Sequence, residues 1–299
     1  MKHTILSPIN KNNKLKEYLK CIDYTVSKKT FFLLQDLESE LLITSPQPKS
    51  EDLGAYYISD AYISHTDSTK SLLDKVYQVV KNYTIKKKVA LISNCTRETK
   101  TILDIGCGTG DFLVACKKKH WNVIGVEPNE KAQSLAYEKL NVIAESNFSI
   151  EKDISNINTN NKFDVITMWH VLEHIPNLEE YIGQLKNLLK PNGTLLIAVP
   201  NYNSFDAKHY KQFWAAYDVP RHLWHFSKKA ISFLFEKENM KVVKILPMKF
   251  DSYYVSLLSE KNKTGNSNII KAFLIGLKSN ILARKNMEYS SLIYKIKNN

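Results

Sequence analysis

No two cysteines in this chain stand at C-x-x-C spacing, and Cys21, Cys95, Cys107 and Cys116 follow no disulfide-framework pattern. That excludes a thiolate zinc site or a stapled scaffold as the organising element. A reducing, cytoplasmic setting is expected. No apolar run approaches the roughly 20 residues needed to span a bilayer. Lysine and asparagine interrupt the apolar residues near the N-terminus, so no signal-peptide core is read there. Internal repeats and low-complexity tracts are missing, which removes solenoid and fibrous architectures. Within the Phe213–Ser227 patch no helical H-x-x-x-H spacing links the histidines, and no metal is expected.

Acid is the minority charge, with 30 acidic against 42 basic residues and a net charge of +12. The excess gathers in an N-terminal arm (Lys2, Lys11, Lys14, Lys16, Lys20) and beyond residue 260 (Lys261, Lys263, Lys271, Lys278, Arg284, Lys285). Nucleic acid, anionic lipid, an acidic substrate or plain solubility would each account for it. The 299 residues, 43% of them hydrophobic, can build one large domain, or one large and one small.

What is present divides into an N-terminal β-rich extension over 1–55 and a main domain over 56–299. Asp23–Ser27, Phe31–Leu34 and Leu41–Thr44 read as short strands, and the prolines of Ser45–Pro48 close the extension. Asp67 and Ser68 read as a cap for a helix whose Leu73, Val76, Val79, Val80 and Tyr83 keep a 3.6-residue period. Strands are expected at 101–105, 121–126, 141–150, 163–168 and 194–199, with helices between them. That alternation predicts a parallel, doubly wound α/β sheet. Asn177 with Glu180 forms a capping pattern, as does Ser227 before Ile231, Leu234 and Phe235. A strand at 241–246, a helical insertion over about 259–285 with its helix at 268–284, and a last strand at 290–297 complete the reading.

The densest chemistry lies in Asp104-Ile-Gly106-Cys-Gly108-Thr-Gly110, where a buried strand runs into a glycine turn and then a helix from Asp111. The spacing is G-x-G-x-G, unlike the G-x-G-x-x-G that cradles a dinucleotide pyrophosphate. Trp121–Val126 is a second apolar strand and ends in Glu127-Pro128-Asn129. An acid about 20 residues beyond a glycine turn is placed to take the two hydroxyls of a ribose. A nucleoside ligand follows.

These residues resemble the class I S-adenosylmethionine-dependent methyltransferases, whose first motif has the form D-x-G-x-G-x-G. The likeness extends to Phe163–Ile175, with its Glu173-His174 pair, to Leu188–Asn201 and to Asp218–Ser227. It points to the bacterial group that includes the ubiquinone-biosynthesis O-methyltransferases. The resemblance implies a seven-stranded, mostly parallel, Rossmann-like sheet. It also implies S-adenosyl-L-methionine as cofactor, S-adenosyl-L-homocysteine as product and in-line methyl transfer to a small-molecule acceptor, with oxygen the expected nucleophile. Asp104, Gly106, Gly108, Gly110, Glu127 and Pro128 would then hold the cofactor. Asp153 would take the adenine amino group, and Trp169 and His170 would run beside the sulfonium.

The catalytic candidates are His222, Arg221 and His170, with His222 as the general base toward a hydroxyl. Tyr56, Tyr57 and His65 would line the cleft. A C-x-x-C found in this branch corresponds here to Asp36-Leu-Glu-Ser39, so no zinc is expected in the extension. Met168-Trp169-His170-Val171 stands where base-amine enzymes carry N-P-P-Y, and no Pro-Cys is present, which argues against DNA as substrate. The basic termini leave RNA methylation open without any RNA-binding module, and a non-catalytic cofactor-binding module also stays open. The Ile269–Arg284 helix carries an apolar stripe of Ile270, Phe273, Leu274, Leu277 and Ile281. It reads either as a lid packed on the domain or as a contact with an anionic membrane.

Overall fold

The computed structural model describes residues 7–9, 14–49, 51–57, 72–96, 99–143 and 148–299. His65, the Asp67-Ser68 cap and the middle of the strand expected over 141–150 lie outside them. A seven-stranded sheet is built from β4 (Thr101–Ile105), β5 (Asn122–Val126), β6 (Ser149–Glu151), β7 (Phe163–Trp169), β8 (Leu189–Pro200), β10 (Met240–Met248) and β11 (Ser291–Asn298). The order across it is β10-β11-β8-β7-β4-β5-β6. Strands β6 through β8 are parallel, while β11 enters antiparallel between β8 and β10. Residues of β4 and β7 are buried on both faces, as near-continuous apolar runs require at the centre of a parallel sheet. The chain goes from β4 outward to β5 and β6, then returns to β7 on the other side. The carboxyl ends of β4 and β7 therefore flank the switch point, where ligands of such sheets bind.

Helices α1 (Leu72–Ser93), α2 (Asp111–Lys117), α3 (Glu130–Asn141), α4 (Leu178–Leu188) and α6 (Lys228–Glu236) belong to the layers around this sheet, and α5 (Phe205–Tyr210) follows β8. Leu178, Ile182, Leu185 and Leu188 make the buried face of α4. Its expected cap is only half made. Asn177 accepts no bond from the helix, and its amide reaches Glu180 Oε2 at 3.4 Å. Ser227 does cap α6, accepting from Ala230 N at 3.1 Å.

The extension forms a second, antiparallel sheet of β1 (Leu15–Ile22), β2 (Thr30–Asp36), β3 (Leu42–Ser45) and β9 (Trp224–His225). The strand expected at Asp23–Ser27 is a turn instead. The Asp23 carboxylate accepts from the backbone N–H groups of Thr25, Val26 and Ser27 and so winds the chain around itself. Asp36 and Ser39, at the C-x-x-C positions, form a hydrogen-bonded corner in which Ser39 Oγ donates to Asp36 Oδ2 at 2.9 Å. Because β9 comes from the main domain, the small sheet is shared between the two segments.

The insertion contains two helices, α7 (Asp251–Thr264) and α8 (Ile269–Asn286). They meet through small residues: Ser252, Ser256 and Ser259 are buried on one, Ala272, Gly276, Ser279 and Ala283 on the other. A Cβ on Gly276 would lie 2.8 Å from the Tyr253 ring, so glycine sets how closely the helices approach. The apolar stripe therefore does not pack inward as a lid. Ile270 is 76% exposed and Leu274 56%, with Phe273, Leu277 and Ile281 also exposed.

Candidate active site

The turn after β4 gives the site its floor. Gly106, Gly108 and Gly110 all have positive φ. A Cβ at Gly106 would strike the Val171 side chain, whereas one at Gly108 would meet nothing within 4 Å. The first glycine is required by packing. The second presents bare backbone to open space, where a ligand can approach.

Glu127, at the end of β5, is buried and locks onto this turn. Its Oε2 accepts from Gly108 N at 2.9 Å, and its Oε1 accepts from Asn129 N at 2.9 Å. Each oxygen keeps a second lone pair for a hydroxyl. Pro128 and Asp153 are exposed nearby, since Glu127 N bonds Glu151 O at 2.9 Å and brings β6 alongside. Asp153 caps the following turn, accepting from Ser155 N at 2.8 Å.

Asp104 lies beneath the glycines and receives a hydrogen bond from Thr167 Oγ1 at 2.6 Å. Burial lifts its pKa to about 7, against the pull of that hydroxyl and of the Lys88 ammonium. Lys88 sits with its Nζ 4.2 Å from the centre of the Trp169 ring, and Trp169 meets Phe112 edge to face at 5.7 Å. Burial pushes the Lys88 ammonium down, opposed by Asp104 and Asp251.

From the turn a cleft of about 1010 Å³ opens toward the small sheet. Cys107 and Thr109, from the glycine turn, line it together with His170, Glu173, His222, Tyr24 and Trp214. Glu127, Pro128 and Asp153 are outside this lining, on the neighbouring strand ends. A smaller groove at Thr101, Asn122 and Lys162 lies at the amino ends of the strands, away from the switch point.

His170 adopts a positive φ of 60° at the tip of β7. Burial opposes its charge, yet Asp251 at 3.0 Å from Nε2 and Glu173 at 3.5 Å from Nδ1 raise its pKa to about 10. It is a cation through neutral pH and is no proton acceptor there. Arg221 is fully enclosed: its guanidinium binds Asp218 through Nε at 2.9 Å, Asp23 at 3.0 Å and the Tyr56 carbonyl at 3.1 Å. Its donors join the small sheet to the cleft loop. His222 Nδ1 stands 2.9 Å from the Ala216 carbonyl, which leaves Nε2 as the lone-pair nitrogen, 4.0 Å from Glu173. His174 Nδ1 is 2.9 Å from the Tyr57 hydroxyl and 3.0 Å from the Arg221 carbonyl. Tyr56, Tyr57 and His174 are not among the residues that line the cleft. His225 is buried and bonds Thr44 at 3.0 Å, holding β9 to β3.

Three cleft residues escaped the sequence reading. Lys88 lies past the last position of the stripe read on α1. Asp251 starts a helix whose inner face is serine, so no apolar period announced it. Glu173 was read as part of a motif, with no sign that its carboxylate would be buried.

A family model described as a methyltransferase domain matches residues 77–245. A ubiquinone biosynthesis O-methyltransferase of Actinobacillus pleuropneumoniae is 37% identical over 108 residues, 34% of this chain and 46% of that protein. Its counterpart in Rhodopseudomonas palustris is 30% identical over 105 residues, 34% of this chain and 40% of its own length. The chain spans less than half the length of these curated relatives. Among solved structures, the magnesium protoporphyrin IX methyltransferase of Synechocystis with bound SAH superposes with a TM-score of 0.54 at 16% identity, covering 83% of this chain and 100% of that one. The cyclopropane synthase of Mycobacterium tuberculosis gives 0.54 at 14% identity, covering 84% and 99%. At such identities the likeness is one of fold.

Proposed function

The chain belongs to the methyltransferase-domain family, and from that premise we propose that it transfers the methyl group of S-adenosylmethionine to a hydroxyl of a small-molecule acceptor. One observation carries the cofactor half: the Gly108–Glu127 hydrogen bond brings an open glycine turn and a buried carboxylate to one spot at the switch point. Glu127 takes the ribose hydroxyls, the glycine backbone passes the methionine portion, and Trp169 and His170 border the sulfonium. Asp153 and Pro128 lie on the adenine side. Relatives named as O-methyltransferases support oxygen as the nucleophile.

The acceptor then enters the cleft from the small-sheet side. Alignment supplies most of the rate, because the methyl needs only a lone pair directly behind the carbon–sulfur bond. An acceptor hydroxyl loses its proton as the methyl arrives, and His222 Nε2 is the base available, its tautomer fixed by the Ala216 carbonyl. Arg221 acts at a distance, by holding the loop that carries His222. Four free cysteines fit a cytoplasmic setting.

We also infer a peripheral contact with anionic lipid. No helix among the described residues is long and apolar enough to cross a membrane. Helix α8 instead turns Ile270, Phe273 and Leu274 outward, with Lys278, Arg284 and Lys285 on the same helix to meet negative headgroups. Its partner α7 lines the cleft through Tyr254 and Leu258, so a lipophilic acceptor would have a short path.

The test of the whole reading is a structure of the chain with S-adenosylhomocysteine. The ligand is expected with its ribose on Glu127 and its sulfur toward His170. Ligand bound elsewhere, or none bound, would overturn the reading.

A further inference from the structure

Among the described residues, every carboxylate that lines the cleft already faces a cation. Asp111 meets Lys81 at 2.6 Å, Asp218 accepts from Arg221 Nε at 2.9 Å, and Asp251 and Glu173 share His170 at 3.0 and 3.5 Å. The lining also holds Lys28, Lys88 and Lys261, and no described carboxylate stands at ion-pair distance from any of them. The cleft therefore carries surplus positive charge. Lys88 lies over the Trp169 ring, but the other two belong to a different end. Lys28 Nζ donates to the Tyr24 carbonyl, and the Tyr24 ring lies 6.0 Å from that of Phe213. The Phe213 carbonyl in turn accepts from Asn262 Nδ2 at 3.3 Å, next in the chain to Lys261.

Helix α7 sets how far that end lies from the reacting groups. Its first residue, Asp251, holds His170, and near its other end Ser259 Oγ accepts from Ala215 N at 2.9 Å. Asp251, Tyr254, Val255, Leu258, Lys261 and Asn262 recur at helical spacing and all line the cleft. Ser252 turns the other way and bonds the Gly276 carbonyl of α8 at 3.1 Å. At about 1.5 Å per residue, the helix carries Lys261 roughly 15 Å beyond Asp251. Between the two, its cleft face is Tyr254, Val255 and Leu258. We propose that the acceptor is an elongated amphiphile with its methylated hydroxyl near His170 and His222, an apolar body along α7, and an anionic terminal group on Lys28 and Lys261. A neutral terminus would gain nothing from the two ammonium groups, and a cationic one would be repelled. Both lysines are exposed, so the preference is modest and screened by salt. The proposal rests on the cleft being the acceptor's site.

The test uses ω-hydroxylaurate and dodecanediol, chains of equal length that share one terminal hydroxyl and differ in charge at the other end. Each is titrated by calorimetry into the full chain saturated with S-adenosylhomocysteine. ω-Hydroxylaurate should bind about fivefold more tightly than the diol, as exposed ion pairs allow. Lys28→Gln with Lys261→Gln should erase that preference, while Lys28→Arg with Lys261→Arg should keep it, and added salt should shrink it. Phe273→Ser with Leu274→Ser, on the outward face of α8, should leave both affinities as they are. Equal affinity for the two probes, binding of neither, a preference that survives in the double glutamine variant, or loss of binding in the α8 variant would overturn the proposal. Normal binding of S-adenosylhomocysteine in the saturating step keeps such a failure apart from failure of the methyltransferase reading.

Discussion

Arg221 and Asp23 form an ion pair at 3.0 Å in the interior, the arginine side chain 1% exposed and the aspartate fully covered. The pair ties the first turn of the small sheet to the loop that carries His222. Removing Asp23 leaves the buried Arg221 with Asp218 as its one carboxylate partner and takes the acceptor from the N–H groups of Thr25, Val26 and Ser27. Asp23→Ala is therefore expected to cost about 3–5 kcal/mol, read as a lower urea midpoint at unchanged slope. A loss below about 1 kcal/mol, the range of an exposed pair, would show that the pair does not hold the two segments together.

The same aspartate predicts acid sensitivity. Burial works to raise its pKa, but the N–H groups and hydroxyl of the 25–27 turn, together with Arg221, bring it below the usual carboxylate value. Its stabilisation is present above the unfolded value near 3.9 and is lost as pH falls through the lower folded value. Denaturation midpoints of wild type and Asp23→Ala should converge below about pH 4. A gap that stays constant into strong acid contradicts the assignment.

His170 predicts the opposite slope. With a folded pKa near 10, raised by Asp251 and Glu173 against burial, its contribution is complete below the unfolded value of about 6.5 and drains away as pH rises toward 10. Thermal melts should show wild type losing its advantage over His170→Gln across that window. Parallel curves for the two proteins would mean that the imidazolium is not held by its carboxylates.

The outward stripe of α8 predicts lipid binding governed by charge. The chain should float with vesicles containing phosphatidylglycerol at low salt, and Phe273→Ser with Leu274→Ser should reduce the bound fraction severalfold. Binding should weaken as salt screens the lysines. No co-migration at low salt would remove the membrane contact.

The strand, glycine turn and second strand were legible from the sequence because backbone rules dictate them: Thr101–Ile105 is a buried strand and three glycines at positive φ turn it. The rest of the cleft was harder to read, since its residues are assembled by tertiary contacts. Asp23 lies in a segment whose β-branched residues read as a strand, but its own carboxylate captures three backbone donors and forms a turn. Arg221 and His222 both read as catalytic candidates, yet one is held in the ion pair with Asp23 and the other has its Nε2 4.0 Å from Glu173. Helix α7 carried no apolar stripe because serines make its seam. That same seam leaves the α8 stripe facing outward, where a lid would have hidden it.

The central proposal is that Glu127, held against the glycine turn by Gly108 N, takes the ribose of S-adenosylmethionine. Calorimetric titration of S-adenosylhomocysteine into wild type and Glu127→Ala tests it most directly. Loss of a hydrogen bond to a charged group costs about 1.5–3 kcal/mol, so the variant should bind at least about 10-fold more weakly, with Glu127→Gln in between. Equal affinities for wild type and Glu127→Ala would contradict the account.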